Sequence, residues 1–459
     1  MLEKWALRKR EKKLALGSAI SFLSGGHNNK PKGQLLQLTV KRVLNLIQHF
    51  VGFIYRDIRI EFVGKKPCIQ ITVQAHESIR PKCSICLETA PGYDHLPQRR
   101  WLFMPLWEIE TWFLYSPRRV ECHEHGVVVE HIPWSEGKRP ITKTMMGLLA
   151  RWARRLSWTE TSKAFGTSWE SVYRSVEWVV EWGLANRVLE GIKSIGIDEI
   201  HWGHGLKSEN FLTVIYQIDG HCRRLLWVGK KRTRKTLRKG LDALGPKVVE
   251  GIRFVCSDMW KPYLAVIKAR VGHALHVLDR FHIVSHLNQA VDQVRRGECA
   301  RLRGRPKAAK LKHMRWSLLR RGTRVRGKAR VKLDALVKSK LATARAWTLK
   351  ESFEQFWKYN SIDWAEGFLD VWTAKAMRSR LEPMKKVARM LRTHQELILN
   401  WFKAKKEISN GPTEGMNNKI RVVTRRSYGF RTYRAMEIAL YHNLGRLPEP
   451  DTGFTHKFC

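Results

Sequence analysis

Three short runs, SIGIDEI at residues 194–200, FLTVIYQID at 211–219 and CRRLLWVG at 222–229, decide the fold of this chain. Each is rich in β-branched and aliphatic residues and is bounded by polar turns, the pattern of a strand. A helix is predicted from about Thr233. IRFVCSD (252–258) and ALHVLD (274–279) read as two further strands with a helix between them. Strands interleaved with helices pack as a mixed sheet carrying helices on its faces. Asp198 follows the strand SIGI and Asp258 ends the strand IRFVC, so both acids can project from neighbouring strand ends.

A third acid, Glu414, lies in SNGPTEGMNNKI (409–420). There Asn410-Gly411-Pro412 breaks the chain, and Thr413 to Ile420 can begin a helix. Asp198, Asp258 and Glu414 converging on one pocket would repel one another. Two Mg2+ (or Mn2+) ions relieve that repulsion while activating a nucleophile and stabilising the leaving oxygen of a phosphodiester. Glu414 is followed by Lys419, Arg421, Arg425, Arg426, Arg431 and Arg434, which suit phosphate contact. Taken singly, an Asp at a strand end is more often a cap or turn residue. Glu199, Asp219 and Asp279 are the rival acids.

Outward from the sheet the chain is helical on both sides. Between Ile141 and Gly183 two or three helices follow one another across the turn Phe165-Gly166-Thr167-Ser168. Leu156, Ala164 and Phe165 can face a core, and Val172, Val176 and Val179 form an apolar stripe on the last helix. Its other face presents Ser168, Trp169, Ser171 and Arg174, whose tips suit base edges or phosphates if the helix enters a major groove. A helix-turn-helix and an ordinary helical hairpin both satisfy this pattern. From Phe281 to about Ile408 strand signals vanish, and residues 295–345 hold 19 Lys/Arg against Glu298 and Asp334 alone. That block and Lys230, Lys231 and Arg232 are candidate phosphate contacts. Trp316, Trp347, Trp357, Trp364 and Trp372 read mostly as core, with room for one to stack on an unpaired base.

On the N-terminal side, Cys83-x2-Cys86 and Cys122-x2-His125 are two chelating pairs 35 residues apart, the spacing of a tetrahedral zinc site on two turns. His123 and His95 are substitutes for His125. A redox dithiol is the other reading, but it does not require the second pair. The segment between them has no acidic pocket constellation, so the zinc is read as a structural staple. Cys68, Cys222, Cys256, Cys299 and Cys459 read as buried or inert thiols. Leu36 to Tyr55 has helical spacing, and Ile58 to Val63 and Ile69 to Val73 alternate as short strands.

The charge balance bears on partners. The 459 residues carry 85 Lys+Arg and 41 Asp+Glu, a formal net charge of +44, which a polyanion would screen. With 43% hydrophobic residues and 19 Trp, wholesale disorder is excluded. The most apolar early stretch, residues 43–55, is interrupted by Asn45, Gln48 and His49 and is too short to span a bilayer. A cytoplasmic location, no membrane partner and double-stranded DNA as the partner are the expectations.

GIDEIHWG, CSDMWKPY, LDRFHIV and SNGPTEGMNNKIRVVTRRSYGFR resemble, in that order, the motifs of bacterial insertion-sequence transposases of the ISL-three family within the DDE superfamily. The resemblance covers roughly residues 80 to 445. It implies that Asp198, Asp258 and Glu414 form a catalytic triad on an RNase H-like fold. Asp279-x2-His282 matches a motif that supports the active site in related superfamilies; the other reading has His282 capping or packing the start of a helix. Two departures stand out: His125 occupies a position where a fourth Cys is commoner, and the first 35 or so residues form an added basic arm.

The resulting expectation is a multidomain α+β protein. It has a basic flexible arm (1–35), an N-terminal α/β and zinc-binding module (36–135) and a helix-turn-helix domain (140–190). An RNase H-like mixed α/β catalytic domain (191–285 and 406–447) follows, interrupted by an all-α insertion (286–405), with a tail (448–459). The implied activity is binding of terminal inverted repeats, metal-dependent cleavage and strand transfer to target DNA, in a homodimer or higher oligomer that pairs two ends. The alternatives are a non-catalytic zinc-containing DNA-binding regulator and a metal-dependent nuclease without joining activity.

Overall fold

The computed structural model describes residues 39–202, 208–304, 311–405, 408 and 411–452. The basic arm, Asn410 and Cys459 lie outside the described residues. The chain divides into two compact units, one of residues 1–100, 111–133 and 453–459 and one of residues 101–110 and 134–452.

The chain opens with helix α1 (Val40–Ile47) and strands β1 (Phe53–Val63), β2 (Lys66–Ala75), β3 (Gly92–His95), β4 (Arg99–Leu106), β5 (Ile109–Tyr115), β6 (Arg118–Cys122) and β7 (Gly126–Val129). The helical spacing predicted through Tyr55 stops early. Gly52 turns the chain at φ +87°, and Phe53 to Tyr55 already pair with Val73 to Ala75 in β2. In the first unit β1, β2 and β5 lie side by side, and β3, β6 and β7 form a second small sheet. The buried Glu130 carboxylate is fully engaged there. It accepts from Tyr115 Oη (2.5 Å), Arg118 N (2.7 Å) and the Arg118 guanidinium (2.7 and 2.9 Å), which compensates its burial.

In the second unit, helices α2 (Lys143–Ala153), α3 (Trp158–Ala164) and α4 (Trp169–Ala185) are capped by Thr142, Ser157 and Ser168. Ser157 and Glu160 close a reciprocal capping box. Val172, Val176 and Val179 are buried, and Phe165 packs against the same core. Ala164, expected to face the core, is exposed at the end of α3.

A five-stranded sheet follows, built from β8 (Ser194–His201), β9 (Phe211–Asp219), β10 (Cys222–Lys230), β11 (Phe254–Ser257) and β12 (Leu275–Leu278). Its order is β10-β9-β8-β11-β12, with β9 antiparallel to both neighbours and β8, β11 and β12 parallel. The connecting helices are α5 (Arg234–Asp242), α6 (Pro246–Glu250) and α7 (Lys261–Arg270). Strand alternation sorts the two faces. Ile195, Ile197, Ile215 and Val255 pack with Leu237, Leu241, Val266 and Ile267 of α5 and α7. Val214 and Tyr216 belong to the core of the opposite face, and Gly196 and Asp198, alternating with the two isoleucines, point to that side.

Beyond β12 the described chain is helical: α8 (Arg280–Arg301), α9 (Arg315–Leu319), α10 (Gly327–Val337), α11 (Ala342–Phe353), α12 (Ile362–Arg378), α13 (Glu382–Thr393), α14 (Gln395–Lys403), α15 (Gly411–Arg426) and α16 (Tyr433–Leu444). The buried Glu298 of α8 accepts from Ala342 N and Thr343 N (both 2.8 Å) at the start of α11, a carboxylate on a helix N-terminus. Asn400 of α14 donates to the His276 carbonyl (2.8 Å) and ties the helical run back to β12. Trp372 is buried with its ring N–H on the Leu349 carbonyl, whereas Trp316 and Trp364 are exposed. No helix among the described residues is long and apolar enough to cross a membrane.

Candidate active site and candidate metal centre

The acids gather on the face of the sheet that α15 covers. In the parallel register Cys256 lies beside Gly196, so two residues further along each chain Asp258 comes beside Asp198. Helix α15 can approach because residue 196 has no side chain. A Cβ there would stand 2.2 Å from Thr413 Oγ1. One turn beyond Thr413 on the same helix face, Asn417 donates to Asp198 Oδ2 (2.7 Å) and accepts from Tyr216 Oη (2.7 Å). Asp198 Oδ1 accepts from Glu199 N (2.7 Å), and Asp258 Oδ1 accepts from Trp260 N (3.1 Å).

Burial raises the Asp198 carboxyl to about 6, and the Asp258 charge adds to the rise against the two hydrogen bonds that Asp198 accepts. Burial also raises Glu199 to about 7, with Asp258 next in effect. Two protein cations offset this negative charge. Arg232 pairs with Glu199, its guanidinium 4.0 Å from the centre of the Trp260 ring. His282 stands in the first turn of α8, with Nδ1 3.1 Å from Asp279 Oδ2. The hydrogen bond to Asp279, with the charges of Asp279, Asp258 and Asp198, raises His282 to about 9 despite its burial, so it is a cation at neutral pH. The helix cap is Asp279, which accepts from Phe281 N (2.9 Å).

Glu414 lies on α15 one turn before Asn417, exposed to solvent and without an ion pair or side-chain hydrogen bond among the described residues. Asp198 and Asp258 are thus drawn together in this structure, while the Glu414 carboxylate stands free. Of the rival acids, Asp219 sits at the far end of β9, where it accepts from Lys193 N (3.3 Å) and Gln217 Nε2 (2.8 Å). Glu199 is within reach of Asp258 but is already neutralised by Arg232. The link that sequence reasoning misses is Asn417. Its one visible signal is its position four residues after Thr413, on the buried side of the helix.

The basic and polar residues expected to face DNA divide into two groups. Lys230, Arg421 and Arg425 are exposed, with no acidic partner among the described residues. Arg232 is committed to Glu199. Arg426 is half-buried, donating to the Arg154 carbonyl (2.5 Å) and to Asn443 Oδ1 (2.9 Å). Lys231 pairs with Glu209 at 3.4 Å. On α4, Ser168 caps the helix through Ser171 N, Arg174 pairs with Glu170 (2.6 Å), and Trp169 stacks one face on Tyr173.

In the first unit the sulfurs of Cys83, Cys86 and Cys122 and a ring nitrogen of His125 all lie within 4.8 Å of one another. Cys86 Sγ to Cys122 Sγ is 3.7 Å, and His125 Nδ1 is 3.5 Å from Cys122 Sγ and 3.9 Å from Cys83 Sγ. A tetrahedron of Zn–S bonds near 2.3 Å has edges of about 3.8 Å, so this donor set is compatible with zinc. Burial raises the Cys83 thiol, but the backbone N–H groups of Cys86 and Ile85 outweigh it and leave the thiol at about 7, which favours thiolate.

Residues 195–440 match the family model of the ISL-three DDE transposases, described as a transposase. That stretch is more than half of the chain, and the chain belongs to this family. The chain is 25% identical over 338 residues to the transposase for insertion sequence element IS1001 of Bordetella parapertussis, covering 72% of this chain and 81% of that one. It is 26% identical over 390 residues to the transposase for insertion sequence element IS1557 of Mycobacterium tuberculosis, covering 79% and 86%. Membership implies an enzyme that binds and acts on DNA.

Proposed function

We propose that this chain binds the ends of an insertion sequence, cleaves DNA there and joins the freed end to target DNA, with Asp198, Asp258 and Glu414 as the acids of one divalent-cation site. Hydrolysis at an element end releases a 3′ hydroxyl, which then attacks a phosphodiester of the target and displaces one of its oxygens. The observation that carries the reading is the pairing of Asp198 with Asp258 under α15, the helix on which Glu414 stands. Two adjacent carboxyls, with Asp198 raised in proton affinity by its burial, are the donor set that a hard divalent cation satisfies. Mg2+ or Mn2+, as two ions, would supply charge neutralisation at the attacked phosphate and a lowered pKa for attacking water.

The chain's own residues do the positioning. Asn417 holds one Asp198 oxygen through a hydrogen bond braced by Tyr216, which fixes the orientation of that carboxylate. Asp279 keeps His282 protonated beside the acids, where the cation also favours a phosphate. Arg232 keeps Glu199 neutralised, which supports Glu414 rather than Glu199 as the third acid. The strand order, with one antiparallel pair beside three parallel strands, supports an RNase H-like domain, and the helices between β12 and α15 support an all-α insertion. Cys83, Cys86, Cys122 and His125 would hold a structural zinc, and α3 and α4 would act as a helix-turn-helix. A dimer or larger assembly follows from the need to pair two ends.

The test is incubation with duplex DNA carrying the ends of the element that encodes this chain, with Mg2+. Wild type cuts and joins, while Asp198→Asn, Asp258→Asn and Glu414→Gln fail at both steps. Binding without cation-dependent cutting would instead identify a DNA-binding regulator, and cutting without joining a nuclease.

A further inference from the structure

Tyr428 closes α15 in an unusual way. Gly429 N donates to the Thr424 carbonyl (2.9 Å) and Tyr428 N to the Arg425 carbonyl (3.0 Å), the paired closing bonds of a helix whose terminal residue turns left-handed. That residue is Tyr428, at φ +52°, a position where glycine is free of strain and a bulky side chain is not. The two closing hydrogen bonds offset part of the strain, but among the described residues the ring itself adds nothing to the fold. The side chain is 97% exposed, with no ring contact or hydrogen bond among the described residues. A bulky ring kept at a position that glycine would fill without strain, and making no contact of its own, points to a contact made outside the chain.

The surroundings identify the partner. Arg421, Arg425 and Arg431, all within seven residues of Tyr428 in the chain, are exposed and free of acidic partners among the described residues. Trp107 is the contrasting case. It too is exposed with positive φ, but its neighbours in sequence, Glu108 and Glu110, are acidic. At 1.5 Å per residue, Tyr428 stands about 20 Å along the helix axis from Glu414, or roughly six base pairs of duplex.

We propose that Tyr428 is a nucleobase-stacking contact, its ring lying against a base that is unstacked from its neighbour in the bound DNA about six base pairs from the cut, with Arg425 and Arg431 on the flanking phosphates. The proposal rests on the DNA-binding reading above and adds to it a position and a chemistry. Aromatic stacking on a base is sequence-tolerant and strong enough to read by substitution.

The test uses the full chain and duplexes carrying the element ends, with 2-aminopurine placed singly at positions four to nine base pairs from the cut. Wild type and Tyr428→Phe change the fluorescence at one of these positions. Tyr428→Gly and Tyr428→Ala abolish that change and weaken binding about 5- to 100-fold. Because glycine relieves the left-handed strain, Tyr428→Gly also raises the thermal midpoint by about 1–3 °C, which separates lost contact from lost fold. Tyr428→Gly binding as tightly as wild type, with the same fluorescence change, overturns the stacking proposal alone. A wild-type chain that binds no duplex overturns the DNA-binding reading and the stacking with it.

Discussion

Gly196→Ala is the substitution that loads the sheet-to-helix junction most directly. The added methyl would lie 2.2 Å from Thr413 Oγ1 and 3.2 Å from Ile218 Cγ2, both distances well inside van der Waals contact. Thr413 is fully buried, so it cannot swing into solvent, and α15 must move away from β8. Overpacking of this kind costs about 1–3 kcal/mol. The same displacement stretches the 2.7 Å bond from Asn417 to Asp198, so the variant loses cleavage activity out of proportion to its lost stability. Thr413 Oγ1 has no hydrogen-bond partner among the described residues, which makes Thr413→Ala alone nearly neutral, within about 1 kcal/mol. In the double variant the remaining Thr413 Cβ is 3.4 Å from the new methyl, a tolerable contact. Urea unfolding of the four proteins in a double-mutant cycle should give a favourable coupling of about 0.5–3 kcal/mol, with cleavage partly restored in the pair. A Gly196→Ala protein as stable and active as wild type, or a cycle with no coupling, would refute the docking of α15 on β8 through this glycine.

The remaining predictions concern charge and metal. In cation-free protein, Asp198 and Glu199 are raised to about 6 and 7, so they favour the fold while protonated and withdraw that contribution as pH climbs from about 4 through 7. His282 is also raised, and its contribution is full below about 6.5 and lost as pH rises through about 9. Thermal midpoints measured without Mg2+ should therefore fall from pH 5 to pH 9, and Asp198→Asn should flatten the lower part of that slope. Asp279→Asn keeps an acceptor for Phe281 N but removes the charge that holds His282 protonated; NMR titration should find the imidazole back near its ordinary range. Because the ring is partly exposed, the stability lost at pH 7 should be about 1 kcal/mol. Cys83→Ser and His125→Ala should abolish bound zinc by metal analysis and increase proteolysis between residues 83 and 125; wild-type zinc content in either variant would contradict the four-ligand assignment.

Much of this architecture is legible in the sequence because it depends on local pattern. The strands of the central sheet are short, β-branched apolar runs bounded by polar turns, and Asp198 alternates with Ile195 and Ile197, which sets its side of the sheet. The cysteine pairs are likewise local, since an x2 spacing brings two donors onto one turn. What is not legible depends on partners far away in the chain. Asn417 is one of two adjacent asparagines on a polar helix, and only the docking of Thr413 on Gly196 selects it to reach Asp198. Arg232 reads as one more cation in Lys-Lys-Arg-Thr-Arg-Lys, yet folding brings it to Glu199 and Trp260. Arg426 is similarly drawn inward to Arg154 and Asn443, a fate that no charge count distinguishes from that of Arg425.

The sharing of one divalent site by three carboxylates is tested most directly by anomalous diffraction from crystals of the DNA complex soaked in Mn2+. Manganese bonded at about 2.0–2.3 Å to oxygens of Asp198, Asp258 and Glu414 is the predicted result. Manganese bound elsewhere, or bound at Asp258 with Asp198 and Glu414 both turned away, would contradict it.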